Sequence, residues 1–348
     1  MTAKHRFKAP QNDLNRLGKT KKLRFGHSCN NNGNAVSTIF NGIYMTEKTY
    51  GIVISCIGGL YTVRNRDGEN LQARARGILR HERKSPLIGD TVSLCKDNGS
   101  YAIEDIKERK NFLIRPPVSN IDTLFISFAP VSPMPNTFCI DKLISIAEAA
   151  NVNVAIVITK CDLSPENAEK YKKIYAFADL PVFVTSSADM SGTEKIKSFM
   201  ENGGEGKIYA FAGASGIGKS TLVNTLYPFL SLKTGELSKK TERGKQTTRT
   251  SELFPVPGKD GKTFFVADTP GFSSLDFSSV ADFKKEELAS TFREFSKFTD
   301  KCRYRDCTHT KENECGIIAA VKRGDIAKSR HDSFLSMYEE LSANQYKK

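Results

Sequence analysis

Hydrophobic residues between positions 116 and 275 fall into short, almost uninterrupted runs separated by segments with helical spacing. The runs predict five buried strands: Ile121–Phe128, Val152–Ile158, Pro181–Val184, Ile208–Phe211 and Phe264–Ala267. After the first of them, Cys139, Leu143, Ile146 and Ala150 recur at the spacing of one helical face. Continuous apolar strands that alternate with helices are typical of a parallel sheet covered on both faces. We therefore predict a central α/β domain over residues 116–275.

The preceding segment, residues 45–115, has shorter runs with alternating polarity and turn dipeptides between them. It predicts five strands: Gly51–Ile57, Leu60–Arg64, Leu71–Arg76, Asp90–Leu94 and Tyr101–Ile106. Asp67-Gly68 and Asn98-Gly99 are dipeptides of the hairpin type. Five short strands in so short a segment favour a small β-barrel, which we assign as an OB-fold. Composition alone separates this fold poorly from an SH3-like barrel.

The two ends of the chain differ from its centre. Residues 1–44 are basic and poor in apolar side chains, which predicts a disordered arm. Residues 276–348 predict a helical domain with two apolar stripes, which we expect to be local core. One stripe comprises Leu288, Phe292 and Phe295, and the other Phe334, Met337, Tyr338 and Leu341. We thus expect a multidomain protein with boundaries at 44/45, 115/116 and 275/276.

Charge and hydropathy narrow the choice of partner and compartment. The 348 residues carry a formal net charge of +13. Such an excess of positive charge favours a nucleic acid as partner, and the basic face expected around Arg74 and Arg76 of the barrel suits it. No apolar run approaches the ~18 residues of a membrane span, and the N-terminus lacks the apolar core of a secretory signal. We expect a cytoplasmic protein, monomeric and without a membrane partner.

A phosphate-binding loop follows the strand Ile208–Phe211 and precedes a helix predicted over Ser220–Tyr227. It fits the pattern G-x-x-x-x-G-K-[ST] through Gly213, Ala214, Ser215, Gly216, Ile217, Gly218, Lys219 and Ser220, with Thr221 next to it. Glycines allow backbone N–H groups to converge on phosphate oxygens at the helix N-terminus. Lys219 is expected to contact the β- and γ-phosphates, and the Ser220 hydroxyl to bind Mg²⁺.

A second phosphate motif, D-x-x-G, ends the strand Phe264–Ala267. Asp268 is expected to hold Mg²⁺ and the N–H of Gly271 to sense the γ-phosphate. The polar segment 231–250 has the composition of a switch loop, and its Thr247 or Thr248 could close on the metal and the γ-phosphate. These residues extend the predicted nucleotide site beyond the phosphate loop.

A base-reading motif follows the strand Val152–Ile158, at Thr159, Lys160, Cys161 and Asp162. A carboxylate at Asp162 can accept from both N1–H and N2–H of guanine, a pair that adenine lacks, so it selects GTP over ATP. Thr159 stands where many GTPases have asparagine, so we expect somewhat weaker base binding. Ser186, Ser187 and Ala188 follow the next strand and match a short loop that packs on guanine.

The catalytic assignment depends on what orients the attacking water. In Ras-type enzymes a glutamine directly after D-x-x-G does so, but here that position is Phe272, which cannot bind water through a hydrogen bond. Gln246, beside the switch threonines, is our candidate. We assign the catalytic roles to Gln246, Lys219 and Thr248.

Three cysteines and a histidine cluster near the C-terminus, as Cys302, Cys307, His309 and Cys315. In a reducing compartment such a cluster favours metal over disulfides. Three thiolates and one imidazole suit tetrahedral Zn²⁺ and leave no open position, so the zinc should be structural. Arg303, Arg305 and Lys311 lie between the ligands, where they could contact phosphate oxygens.

The order of these motifs reverses that of an ordinary GTPase, because the base reader precedes the phosphate loop. With an OB-like barrel in front and a Cys/His module behind, residues 45–325 resemble the circularly permuted GTPases, in particular those of small ribosomal subunit biogenesis. The resemblance implies GTP hydrolysis stimulated by the small subunit, a role in its late maturation, contact with its rRNA, and zinc ligands at this same spacing. That family commonly has histidine where this chain has Gln246.

Two other functions are compatible with parts of the sequence. One is an RNA-binding assembly scaffold whose nucleotide site is only structural, although Lys219, Ser220 and Asp268 favour hydrolysis. The other is a P-loop ATPase, which Asp162 disfavours. Turnover of GTP and ATP with and without small subunits separates all three.

Overall fold

The computed structural model describes residues 49–81, 84–97, 99–232, 251–268, 276–280 and 283–345. The predicted N-terminal arm lies outside this range. From Lys48 to Lys348 the chain forms one compact unit, so the predicted boundaries at 115/116 and 275/276 stay a prediction. No helix among the described residues is long and apolar enough to cross a membrane.

The first five strands form the predicted barrel: β1 (Thr49–Ile57), β2 (Leu60–Asn65), β3 (Asn70–Ala75), β4 (Thr91–Asp97) and β5 (Ser100–Ile106). A short helix, α1 (Gly77–His81), leads out of β3. The strands pair in the order β1-β2-β3-β5-β4 and β4 closes onto β1, with β3 parallel to β5. This closed order is that of an OB-fold, which decides between the two barrels that composition left open.

The barrel core and its turns follow the sequence pattern. Alternate residues of the strands point inward and bury Val53, Val63 and Leu94 completely. Gly68 and Gly99, the second residues of the two predicted turn dipeptides, have φ values of +85° and +83°. Residues other than glycine rarely adopt such φ values, so Gly68 and Gly99 define the two hairpin turns.

A tiny hairpin, β6 (Phe112–Leu113) with β7 (Val118–Ser119), connects the barrel to the central sheet. The sheet contains β8 (Thr123–Phe128), β9 (Asn153–Ile158), β10 (Val182–Val184), β11 (Ile208–Ala212), β12 (Glu252–Pro257) and β13 (Thr263–Asp268). The order is β10-β9-β8-β11-β13-β12, and all but β12 run parallel. The helices are α2 (Thr137–Ala149), α3 (Pro165–Phe177), α4 (Thr193–Glu201) and α5 (Lys219–Leu226).

The two faces of the sheet carry separate hydrophobic clusters, as expected for strands that are apolar along their whole length. In β8 every residue is buried: Leu124 and Ile126 belong to one cluster, and Phe125 to the other. The prediction of a parallel sheet covered on both faces is confirmed. The antiparallel strand β12 was not predicted, because its sequence contains two prolines, Pro255 and Pro257.

Strand β12 joins the central sheet to the barrel. Glu252 pairs with Asp268 of β13 on one side and with Ser55 of β1 on the other. The barrel strands and the central strands therefore form one continuous 11-stranded sheet. The position of the barrel is consequently set by backbone pairing beside the end of β13.

A buried carboxylate makes the second connection between barrel and sheet. Asp90, which is fully buried, accepts hydrogen bonds from Arg109 Nε and Nη2, both at 2.7 Å, and from Ser119 Oγ at 2.6 Å. At the preceding Gly89 a Cβ atom would lie 2.2 Å from the Ser119 carbonyl oxygen. The barrel base is thus fixed to β7 by charge-assisted hydrogen bonds and by backbone contact that only glycine permits.

The C-terminal residues form α6 (Gly316–Arg323) and α7 (Lys328–Gln345), preceded by 3₁₀ turns at Phe277–Ser279, Lys285–Thr291, Arg293–Lys297 and Thr299–Lys301. Further 3₁₀ turns lie at Cys161–Leu163, Pro228–Leu230 and Lys259–Gly261. The first predicted stripe, Leu288, Phe292 and Phe295, is fully buried, but Leu288 and Phe295 lie in 3₁₀ turns and Phe292 lies between these turns. Nearby hydroxyl groups compete for the backbone groups that an α-helix would use. Thr291 Oγ1, for example, donates to the carbonyl oxygen of Leu288. The second stripe lies on α7 and packs in the core.

We expect Arg109→Met to lower the free energy of unfolding by about 3 kcal/mol, because it leaves the buried Asp90 charge without its partner. The matched control is Arg76→Met, which breaks the exposed Arg76–Glu104 pair and should cost less than about 1 kcal/mol. Urea unfolding followed by circular dichroism measures both. Equal losses in the two variants would show that the Asp90 cluster does not hold the barrel.

Candidate functional site

The predicted nucleotide motifs start at the carboxyl ends of adjacent parallel strands. In the registers of the sheet, Phe128 of β8 pairs with Ile158 of β9, Ile158 with Val184 of β10, and Ala210 of β11 with Ala267 of β13. The next residues in the chain therefore meet at one edge of the sheet. Ligands of open α/β sheets bind at this edge.

The phosphate loop turns sharply between β11 and α5. Gly213, Gly216 and Gly218 have φ values of +135°, +78° and +94°. A Cβ atom on Gly213 would lie 2.1 Å from the carbonyl oxygen of Ser127, so only glycine fits beside β8. The side chain of Ile217 is buried beneath the loop, whereas Ala214 and Ser215 are exposed. The loop thus presents its backbone and two small side chains, those of Ala214 and Ser215, to its outer surface.

Lys219 begins α5 and its ammonium group lies across the loop. Nζ donates to the carbonyl oxygens of Gly213 at 2.6 Å and Ala214 at 2.7 Å. Partial burial lowers its pKa from the usual value. The charge is therefore held inside the loop by carbonyl groups that phosphate oxygens can replace. Ser220 is half-buried in the same helical turn, and Thr221 is exposed.

The base reader is connected directly to the phosphate loop. Thr159 is buried, and its hydroxyl donates to the carbonyl oxygen of Ile217 at 2.6 Å. Lys160 has a left-handed backbone with φ of +51°, and its Nζ donates to the carbonyl oxygens of Gly216 at 2.8 Å and Ser132 at 3.1 Å. In a trans peptide the C=O and N–H point in opposite directions. Thr159 and Lys160 hold the carbonyls of Ile217 and Gly216 towards the base reader. The N–H groups of the same two peptides, which belong to Gly218 and Ile217, therefore point away from it.

Asp162 and the short serine loop lie next to each other. Asp162 is exposed in the 3₁₀ turn Cys161–Leu163, and the N–H of Cys161 donates to the carbonyl of Thr185 at 3.1 Å. Ser186 is buried and its hydroxyl accepts from the N–H of Ala188 at 3.1 Å, while Ser187 is half-buried. Backbone contact between the two motifs thus brings the predicted base-binding groups together.

Sequence reasoning missed a residue that shapes this loop. The Asp189 carboxylate accepts from the N–H of Ser191 at 2.9 Å, and this hydrogen bond lowers the pKa of Asp189. The sequence contained a signal for this turn, because an aspartate side chain can accept a hydrogen bond from the backbone N–H two residues later. Asp189 thus fixes the turn that follows the serine loop.

Several predicted residues receive no structural test. Asp268 ends β13, and only its backbone is described. Gln246, Thr247, Thr248 and Gly271 lie outside the described residues. Their assigned roles stay predictions, although the end of β13 lies at the same sheet edge as the phosphate loop.

The Cys/His cluster converges as the spacing predicted. The ligand atoms of Cys302, Cys307, His309 and Cys315 all lie within 4.8 Å of one another. Cys302 Sγ is 3.9 Å from Cys315 Sγ, and His309 Nδ1 lies 3.6 Å and 3.5 Å from these two sulfurs. Tetrahedral zinc with Zn–S of about 2.3 Å and Zn–N of about 2.0–2.1 Å requires separations of about 3.8 Å and about 3.6 Å. The side chains therefore fit a zinc ion.

The chemistry of the donors agrees with their geometry. Burial, followed by the neighbouring thiols, raises the pKa of Cys307 to about 12, and burial also raises the pKa of Cys315. Burial lowers the pKa of His309, which favours the neutral imidazole that binds metals. A divalent cation would stabilise the thiolates that this environment otherwise disfavours.

A half-buried glutamate shapes the loop between the zinc ligands. Glu312 accepts from the N–H groups of Thr308, Thr310 and Lys311 at 2.9–3.1 Å and from the Thr308 hydroxyl. Burial would raise the pKa of Glu312, but these hydrogen bonds outweigh it and lower the pKa to about 2. Arg305 and Lys311 are exposed, whereas Arg303 forms an ion pair with Glu314.

We expect Thr159→Val to weaken GDP binding about tenfold, because the mutation leaves the buried carbonyl of Ile217 without its donor. Titration with a fluorescent GDP analogue measures the change. The matched control is Thr185→Val, another buried threonine at the end of a neighbouring strand, whose hydroxyl contacts only the carbonyl of Ile158, at 3.4 Å. Equal affinities for the two variants would contradict a role of Thr159 in orienting the phosphate loop.

Comparison with known proteins agrees with this architecture. The family profile described as RsgA GTPase matches residues 106–278, and that of the RsgA N-terminal domain matches residues 50–103. The "Small ribosomal subunit biogenesis GTPase RsgA" of Alkaliphilus metalliredigens is 39% identical over 299 residues, which cover 85% of this chain and 98% of the relative. The protein with the same name from Bacillus velezensis is 39% identical over 84% of this chain and 97% of its own length.

Two solved structures share the fold. YjeQ from Thermotoga maritima has a TM-score of 0.68 and 33% identity, and the match covers 84% of this chain and 98% of that structure. YloQ, described as a circularly permuted GTPase, has a TM-score of 0.68 and 31% identity over 85% of this chain and 96% of its own. The two family profiles cover the barrel and the nucleotide domain, the relatives align with most of the chain, and the chain therefore belongs to the RsgA family of GTPases.

Proposed function

We propose that this GTPase binds the small ribosomal subunit and hydrolyses GTP to GDP and phosphate during late maturation of the subunit, which stimulates the reaction. The observation that carries the proposal is the convergence of the base reader and phosphate loop at one sheet edge, joined by the 2.6 Å bond between Thr159 and Ile217. The names of the relatives support the choice of partner. We also propose that the protein acts as a monomer in the cytoplasm, without a membrane partner.

The phosphate loop binds the triphosphate and positions it for hydrolysis. When the nucleotide binds, Lys219 Nζ leaves the carbonyl oxygens of Gly213 and Ala214 and donates to the β- and γ-phosphate oxygens instead. Its positive charge there stabilises the transition state. Ser220 and Asp268 hold Mg²⁺, which neutralises charge on the same phosphates when it is bound. Gly271 and Thr247 or Thr248 close on the γ-phosphate, and Gln246 orients the water.

Specificity for guanine comes from the opposite side of the site. The exposed Asp162 carboxylate accepts hydrogen bonds from the two N–H groups of the base, and the aliphatic part of the Lys160 side chain lies along the base. Ser186, Ser187 and Ala188 pack against its edge. Adenine would leave the Asp162 carboxylate without donors, which disfavours ATP.

Two basic surfaces are proposed to contact rRNA. On the barrel, Arg74 is exposed on β3 opposite Leu60, and Arg76 follows with its ion pair to Glu104. On the zinc module, Arg305 and Lys311 are exposed on the loop that the Cys/His cluster fixes. A net charge of +13 supports binding to a polyanion. One structural zinc ion, held by Cys302, Cys307, His309 and Cys315, keeps the second surface rigid.

GTP turnover by the purified chain should rise by at least tenfold when purified small subunits are added, while ATP turnover stays at background in both conditions. Phosphate release measures both reactions, and large subunits provide the control for nonspecific RNA. GTP turnover that small subunits do not change, with intact GTP binding, would favour the assembly scaffold. Comparable ATP turnover would overturn the role of Asp162.

Gln246→Ala should lower stimulated GTP turnover by about 10²-fold with little effect on GTP affinity, because it removes only the group that orients water. Gln246→His is the matched control, since imidazole can also donate and accept hydrogen bonds at this position. Single-turnover hydrolysis and nucleotide titration separate the two effects. Unchanged turnover in Gln246→Ala would remove this residue from the mechanism.

A further inference from the structure

A fully buried arginine of the C-terminal module contacts the nucleotide domain. Arg330, in the first turn of α7, donates from Nη1 to Asp141 of α2 at 2.7 Å and from Nε to Glu294 at 2.8 Å. Its side chain is 2% exposed, and those of Asp141 and Glu294 are 1% and 4% exposed. The guanidinium also lies 4.5 Å from the ring centroid of Phe292. Displacing α7 from α2 would therefore leave buried charges unpaired.

The next residue of α7 contacts a predicted zinc ligand. His331 is buried, and its Nε2 donates to the backbone carbonyl oxygen of His309 at 2.9 Å. His309 itself has a left-handed backbone, with φ of +59°. Because non-glycine residues rarely adopt this conformation, the hydrogen bond from His331 helps to hold it. Adjacent side chains of one helical turn thus hold the metal loop and the nucleotide domain together.

From Asp141, packed groups continue to the phosphate loop. Tyr175 of α3 is buried in the same hydrophobic cluster as Ile140 of α2, which directly precedes Asp141. The Tyr175 ring lies 5.8 Å from that of Phe128 at the end of β8. The Phe128 carbonyl oxygen in turn accepts from the backbone N–H of Thr159 at 2.9 Å. Thr159 then reaches Ile217 of the phosphate loop.

Two further ion pairs attach the C-terminal module to the same helix. Lys142 of α2 contacts Glu340 of α7 at 2.6 Å, and Glu148 near the end of α2 contacts Arg293 at 2.7 Å. Helix α2 lies between β8 and β9 in the chain and leads into the strand that carries the base reader. The zinc module is therefore attached to the guanine-binding side of the nucleotide domain.

We propose that Arg330 and His331 couple the zinc site to guanine-nucleotide affinity, so that an intact zinc loop favours the nucleotide-binding arrangement of the base reader and phosphate loop. Both are positioning residues, since neither lies among the predicted contacts of the nucleotide or the metal. This proposal rests on the proposed zinc site but not on the proposed role at the ribosome. RNA that distorts the zinc loop would change nucleotide affinity through the same contacts.

Coupling between two binding sites is reciprocal, which makes the proposal quantitative. If zinc raises the affinity for GDP by some factor, GDP must raise the affinity for zinc by the same factor. Typical couplings are about 5–150-fold, and we expect at least about fivefold here. The equality holds for any mechanism of coupling, so only a variant that lowers both factors identifies the residues that carry it.

The experiment compares zinc-loaded and zinc-depleted full-length protein in excess Mg²⁺. Zinc is removed with a chelator that binds zinc but not magnesium, and zinc content and circular dichroism are measured for each preparation. GDP affinity is measured with a fluorescent analogue. Separately, zinc affinity is measured by competition with the chelator, with and without saturating GDP.

The variants isolate the two positioning residues. His331→Phe keeps the ring among Phe295 and Phe334 but removes the donor to His309, whereas His331→Gln restores a donor. Arg330→Met removes the charge between α2 and α7. The matched control is Lys328→Met on the same helix, which breaks only the exposed pair with Asp332.

The expected result is a coupling factor of at least about fivefold for zinc and GDP alike in the wild type, in Lys328→Met and in His331→Gln. In His331→Phe and Arg330→Met both factors should fall towards one. If Arg330→Met fails to fold, the two His331 variants still decide the outcome. Equal GDP affinity in zinc-loaded and zinc-depleted wild type of unchanged circular dichroism would overturn the coupling. A wild type that binds no zinc would overturn both the zinc site and the coupling, and leave the proposed GTP hydrolysis unaffected.

Discussion

The nucleotide site depends on one constraint: parallel strands end at the same edge of a sheet. Five strands of the central sheet run parallel, and the residues after four of them form the base reader, the serine loop, the phosphate loop and the D-x-x-G motif. Chain order does not matter to this arrangement, because each motif needs only its own strand and the correct neighbour. A permuted order can therefore preserve the site while it moves the chain termini.

The first parallel strand after the barrel, β8, lies at the centre of that sheet and contributes no motif of its own. Its role is to support both neighbours. The carbonyl oxygen of Phe128 accepts a hydrogen bond from the backbone N–H of Thr159, and the carbonyl oxygen of Ser127 lies so close to Gly213 that no Cβ atom fits there. The base reader and the phosphate loop are thus each built on a backbone carbonyl at the end of β8, and the two carbonyls belong to adjacent residues.

Much of the architecture could be predicted from the sequence, because buried parallel strands and glycine-dependent loops leave local signals. Strand Ile208–Ala212 and its loop are an example, since apolar content and three glycines at fixed spacing determine both. The barrel was predicted, but the register in which β1 and β4 close it was not, because these two strands lie far apart in the chain. The same holds for Arg330, whose partners Asp141 and Glu294 lie 189 and 36 residues away, and whose charge suggested an exposed residue.

Strand β12 also determines how much free backbone the sheet offers to other chains. Its outer edge pairs with the barrel at Ser55, and Pro255 and Pro257 follow in the same strand without N–H groups to donate. At the opposite edge, β10 is only three residues long, Val182–Val184, and follows a proline. Exposed strand edges recruit other strands and start aggregation. The described sheet is therefore protected at both ends. Pairing with the barrel and the two prolines protect β12, and its short length protects β10.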